Sequence, residues 1–157
     1  MEMHILKFAT AALLMCALAT EAAAEGFKAY PGATEYTPPD SESTRKWKEA
    51  LPPGITIVAY ITHDSFEKVV SFYKSSAKEY SNPRAQAGSK LPNGREMQRT
   101  FLIFDGASDL RTSRSWAKVQ HPFIGSVSYR GSTPQFSDIR DVTEIVLTQK
   151  PAAPKKK

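Results

Sequence analysis

Cysteine is nearly missing from this chain of 157 residues: Cys16 stands alone, inside the first twenty positions. One thiol cannot close a disulfide within the chain or build a multi-cysteine metal centre. Histidine is scarce as well, at three residues, and none of the three stand at the short spacing of a zinc-binding sequence. No glycine-rich phosphate loop, heptad or internal repeat is present, so nucleotide-loop, coiled-coil and solenoid architectures drop out. The longest apolar run, 8–19, is shorter than a permanent bilayer-spanning helix requires.

That run follows Lys7 and precedes Ala22, Ala23 and Ala24, the layout of a secretory signal cut between Ala24 and Glu25. Cys16 follows Leu13 and Leu14, as in a lipoprotein signal, but Met15 occupies the place where lipid modification takes Gly, Ala or Ser. The sequence therefore argues against an anchor on Cys16 and for a periplasmic or secreted protein with no stable transmembrane segment after cleavage. Removing 24 of the 157 residues leaves 133, one compact domain with a single core and no cysteine. Its stability has to come from packing. Lys7 is outweighed by Glu2 and Glu21, so the formal charge rises from +5 to +6 on cleavage, three of these charges being Lys155, Lys156 and Lys157.

The chain is organised around 54–80. Ile55, Ile57, Ala59 and Ile61 alternate with Thr56, Val58, Tyr60 and Thr62, a β-branched period-two strand with apolar groups on both faces. Asp64 stands three residues before Glu67 and predicts a capped helix start. Phe66, Val69, Val70, Tyr73, Ala77 and Tyr80 then recur at helical steps, with Asn82-Pro83 as the stop.

Before this stretch, 25–53 holds six Pro and Gly residues between Pro31 and Pro53 and reads as an irregular lead-in with a short helix near 44–50. There Trp47 reads as packed on the domain edge rather than as a ligand platform. After it, 84–96 reads as a loop or hairpin approach. Strands are expected at 99–104, 116–120 and 142–148, with 123–129 continuing the third strand or forming a short one of its own. The segment 131–137 looks like a loop, and 150–157 like a disordered basic tail. The expected fold is α+β: one main helix packed on a mostly antiparallel sheet of about four strands, filling 54–149, the sheet's other face partly open.

The residues Tyr30-Pro31-Gly32-Ala33, the run Thr62-His63-Asp64-Ser65-Phe66-Glu67-Lys68-Val69-Val70 and Phe72-Tyr73-Lys74 together resemble a layout of small, mostly uncharacterised exported bacterial proteins. The resemblance extends over 116–125 and 138–143. It implies a fold and an export route and brings no active-site residues with it.

Three polar groupings remain. His63 and Asp64, with His121 and Ser65, have the residue types of a base and nucleophile, but Asp64 is accounted for as a cap and His121 as a strand-end residue before proline. Arg95, Arg99, Arg111, Arg114, Lys118 and Arg130 could share one side of the sheet beside Trp116 and Tyr129, and arginine forks suit carboxylate or phosphate. From this set Arg99, Arg111, Arg114, Lys118, Trp116 and Tyr129 are the candidate ligand-binding residues. Asp138-Ile139-Arg140-Asp141 reads as a structural ion-pair turn.

Export, one small domain and the absence of a catalytic set favour a non-catalytic periplasmic binding or accessory module. Its expected partner is an anionic ligand or a cell-envelope component; nucleic acid is a poor candidate outside the cytoplasm. Two alternatives stay open: a small periplasmic hydrolase using His63 or His121 with Asp64, and a self-assembling module pairing through sheet edges. The sequence calls for no cofactor and no metal, and leaves the oligomeric state undetermined.

Overall fold

Strands dominate the computed structural model, which describes residues 26–80 and 90–151. In chain order the elements are β1 (Thr34–Tyr36), α1 (Glu42–Glu49), β2 (Thr56–Thr62), α2 (Phe66–Tyr73), β3 (Lys78–Tyr80), β4 (Gln98–Ile103), β5 (Ser115–His121), β6 (Phe123–Arg130), β7 (Thr133–Arg140) and β8 (Thr143–Gln149). Six strands form one antiparallel sheet in the order β1-β2-β8-β5-β4-β3, and β6 and β7 form a separate hairpin. This corrects the α+β expectation of one main helix on about four strands: the described residues are mostly β, with two helices of eight residues each among them. The signal reading of 1–24, the stop at Asn82-Pro83 and most of the tail fall outside the described residues.

Helix α2 is shorter than its apolar spacing predicts. The amides of Ser76 and Ala77 both close onto the Tyr73 carbonyl, and the chain then extends so that Lys78, Glu79 and Tyr80 pair with Ile103, Leu102 and Phe101. Edge pairing with β4 wins over the weak propensity of Lys74-Ser75-Ser76 to continue a helix. The cap is also one residue later than predicted. Ser65, in extended geometry, accepts from the Lys68 amide at 3.3 Å, while the Asp64 carboxylate takes the Tyr30 hydroxyl at 2.7 Å and the Lys68 ammonium at 2.8 Å.

Two further corrections concern segments read as irregular. The lead-in contributes an edge strand, since β1 pairs with β2 through Thr34–Ile61, Glu35–Tyr60 and Tyr36–Ala59. Its helix starts at Glu42, where Ser41 accepts from the Thr44 amide at 3.1 Å. The expected loop 131–137 is mostly strand β7. Each strand of a two-stranded hairpin has one free edge, so Pro134, opposite Tyr129, fits in β7 without a lost ladder bond.

One sheet face carries the core. Leu102, Ala117, Val119 and Ile145 pack there against Val69, Val70 and Tyr73 of α2. Phe27 joins them, stacked on Tyr73 at 5.7 Å and edge-on to Phe104 at 5.3 Å. The Tyr73 hydroxyl donates to the Lys28 carbonyl at 2.9 Å, and burial pushes its pKa far above the phenol range, so the group stays neutral and anchors the incoming chain.

If this face is the core, Leu102→Ala lowers unfolding free energy by about 2–5 kcal/mol. Val127→Ala, at a half-exposed position of β6, changes it by no more than about 0.5 kcal/mol. Urea titrations of the two variants check this; equal losses would contradict the assignment of faces.

Candidate functional site

Register decides which side chains share the sheet's other face. Neighbours across antiparallel strands point the same way, and alternate residues along a strand point apart. Tyr36, Ala59, Val146, Lys118, Phe101 and Tyr80 therefore form one row crossing all six strands. Beside it run Thr34, Ile61, Glu144, Gln120 and Arg99, and on the other flank Ile57, Thr148, Trp116, Ile103 and Lys78. Ile57, Ala59, Ile61, Val146 and Phe101 are only half-buried here. This face is only partly covered, and β2 places apolar residues on both of its sides.

The hairpin folds back over one part of this face. Its base is held by Phe123, fully buried, whose ring meets Tyr36 edge-on at 4.9 Å. The Arg140 guanidinium lies 4.7 Å from the Phe123 ring and 5.3 Å from the Tyr36 ring, and it donates twice to Asp138, at 2.9 and 2.6 Å. Cation–π contact and fork geometry together fix the entry angle. Gly125 opposite is required: a Cβ there would collide with the Asp138 side chain.

Between hairpin and sheet lies a cleft of about 320 Å³. The sheet supplies Arg99, Lys118 and Gln120, the hairpin Ile124, Val127, Tyr129, Pro134 and Phe136, and Met97 closes one side. Val127 and Tyr129 remain 46% and 72% exposed, so the hairpin's apolar lining is not packed away. Lys118 is paired with Glu144 at 2.9 Å. Arg99 has no carboxylate partner among the described residues; its guanidinium reaches the Met97 sulfur at 3.9 Å, and its Nε is buried with no acceptor. A cation without a counterion, beside amide and hydroxyl groups, suits an anion.

A second cleft, of about 370 Å³, opens on the same face beneath α1. Tyr36, Trp47, Ile57, Ala59 and Val146 make it largely apolar, with Glu35 and Lys48 exposed at its mouth and Glu144 at its inner end. Trp47, expected to pack on the domain edge, is 46% exposed.

Of the sequence-derived candidates, the fold brings Arg99, Lys118 and Tyr129 together. Trp116 shares the face with Lys118 and packs on Phe101 at 5.9 Å, beside the cleft. Arg111 and Arg114 lie elsewhere, in the β4–β5 connection. Ser115 faces Phe104 while Arg99 faces Gln120, which separates Arg114 from Arg99 by about five residues of strand, roughly 16 Å. Arg95 is tied to Asp141 at 2.6 Å, and Arg130 sits at the exposed tip of the hairpin. Met97, Gln120 and Phe136 were missed because their neighbours are set by the hairpin's fold-back, which no local pattern announces.

The histidine set does not assemble into a proton relay. Asp64 is engaged by Tyr30 and Lys68. His121 meets Thr143 at 3.2 Å through Nδ1 and Asp141 at 3.3 Å through Nε2, which has the outline of a nucleophile, base and acid. Thr143 is fully buried, however, and its hydroxyl donates to the Asp64 carbonyl at 2.7 Å, leaving no proton for His121 to take. His63 is exposed, beside Ile61, Thr62 and Val142.

Among the described residues no cluster of three metal-ligating side chains occurs, and no helix is long and apolar enough to cross a membrane. No family model, curated protein or solved structure matches this chain.

The Lys68 ammonium and then the Tyr30 hydroxyl hold the Asp64 carboxyl below its ordinary value of 3.8. A depressed carboxylate contributes stability above its unfolded pKa, lost as pH falls through the folded one. In an NMR titration Asp64 is expected to have its midpoint below 3.8, with Lys68→Met raising it more than Tyr30→Phe. An Asp64 midpoint at or above the ordinary value would contradict this network.

Proposed function

We propose that this chain is an exported, non-catalytic binding module whose hairpin–sheet cleft takes the anionic group of a cell-envelope ligand. The observation that carries the reading is Arg99: a guanidinium with no carboxylate partner among the described residues, in a cleft whose other polar groups include Gln120, Lys118 and the Tyr129 hydroxyl. Lys118 is already neutralised by Glu144, so Arg99 leaves the cleft one positive charge in excess. Export is supported by the basic start, the apolar run and Ala22-Ala23-Ala24, which resemble a secretory leader, and by the resemblance to a layout of small exported bacterial proteins.

The fork of Arg99 can meet a phosphate or carboxylate through two hydrogen bonds, while Tyr129 and Phe136 cover the bound group and limit its exchange with water. Nothing in this arrangement activates a nucleophile, so the cleft holds its ligand without converting it.

Loss of a charged hydrogen-bond partner costs about 1.5–3 kcal/mol. Arg99→Ala is therefore expected to weaken binding of phosphate- and carboxylate-bearing ligands roughly 10- to 150-fold. The double variant Arg111→Ala, Arg114→Ala should leave it within about twofold. Chemical-shift titration, followed at the Gln120 and Tyr129 amides, measures both. Equal affinity of Arg99→Ala and the unaltered protein would overturn the assignment.

A further inference from the structure

The two clefts lie on one sheet face and share its cross-strand rows. Tyr36, Ala59 and Val146, which line the apolar cleft, continue directly into Lys118 of the polar one. Glu144, which lines the apolar cleft, continues through Gln120 to Arg99. The Lys118–Glu144 ion pair, at 2.9 Å, joins a lining residue of one cleft to a lining residue of the other. Because it is internally neutral, it divides the groove without repelling either end of a molecule laid across it.

We infer that the ligand is an anionic amphiphile, its phosphate or carboxylate head at Arg99 and its hydrocarbon chain lying across β8 and β2 beneath Trp47. The inference rests on the anion-binding reading above and extends it to the rest of the face. Charge complementarity fixes the orientation. Arg99, which has no carboxylate partner among the described residues, is at the β4 end, Glu144 lies two strand spacings from it, about 10 Å, and at the mouth of the far cleft the charge of Lys48 is offset by Glu35. Beyond Glu144 the lining becomes Val146, Ala59 and Ile57, half-buried aliphatic side chains, with the ring of Tyr36 beside them. Arg99 to Ala59 spans three strand spacings, roughly 14 Å, the reach of a single alkyl chain rather than of a small acid. Trp47 explains itself in this geometry. An aromatic ring left 46% exposed over an apolar floor gains burial when a chain slides beneath it.

The test compares dodecyl phosphate, kept below its micelle-forming concentration, with ethyl phosphate and with uncharged dodecyl maltoside, on the full folded chain. Dodecyl phosphate is expected to bind at least about tenfold more tightly than ethyl phosphate, because chain burial adds to the head contact. Tryptophan emission should shift to the blue with dodecyl phosphate in a Trp116→Phe background, where Trp47 is the remaining reporter. Val146→Ser should weaken dodecyl phosphate while leaving ethyl phosphate unchanged, and Arg99→Ala should weaken both. Circular dichroism confirms that each variant is folded; if Val146→Ser is not, the Trp47 shift and the chain-length comparison decide. Equal binding of dodecyl and ethyl phosphate with a silent Trp47 would overturn the amphiphile and leave the anion site standing. Absence of binding by either phosphate would remove the anion site and this inference with it. Dodecyl maltoside binding as tightly as dodecyl phosphate, and indifferent to Arg99→Ala, would reduce the groove to a surface that adsorbs alkyl chains.

Discussion

The whole molecule depends on where its last strand goes. β8 inserts between β2 and β5, pairing with Thr56–Thr62 on one side and with six of the seven residues of β5 on the other. Without it, the β1–β2 ribbon and the β3–β4–β5 meander are separate small sheets, each too narrow to bury a core. Its alternation serves both faces. Thr143, Ile145 and Leu147 go to the helix side, and Glu144, Val146 and Thr148 to the open side. The same strand therefore completes the hydrophobic core and floors the groove, so stability and site are built by one set of backbone hydrogen bonds.

The open face is unusual in its balance. A sheet face with this much half-buried β-branched surface is normally covered by a helix or a second sheet. Here α1 covers one end and the β6–β7 hairpin the other, each through a few anchoring contacts. For the hairpin these are Phe123 on Tyr36 and the Arg140–Asp138 fork. Cover of this kind leaves cavities in place of a continuous core, and their linings differ in charge. Lys118 and Glu144 neutralise one another in the middle, while Arg99 at one end has no carboxylate partner among the described residues. The chemistry follows from that asymmetry more than from any single residue.

Much of the core was legible in the sequence, and the reasons differ by element. Strand β2 announced itself, and its apolar residues on both sides already implied two used faces. Strands β4, β5 and β8 came from apolar alternation of ordinary clarity. Helix α2 was read too long because Ala77 and Tyr80 keep helical spacing although Ala77 lies in the turn that closes the helix and Tyr80 in the edge strand β3; spacing alone does not distinguish the two when both pack on the same body. β7 was missed because Pro134, Gln135, Ser137 and Asp138 lack β propensity, and only pairing with β6 holds them extended. Of the site, Arg99, Lys118 and Tyr129 were found by residue type. Their separation from Arg111 and Arg114 follows from register, and the apolar half beneath Trp47 from the fold of the lead-in, neither of which local pattern records.

The central claim is that the open face holds an anionic ligand through Arg99, and native mass spectrometry of the protein isolated gently from the cells that make it addresses it most directly. The account predicts that the chain carries a retained anionic mass, and that the Arg99→Ala protein prepared in the same way has lost it. A bare chain in both preparations, or a retained mass that persists unchanged in Arg99→Ala, would contradict the account.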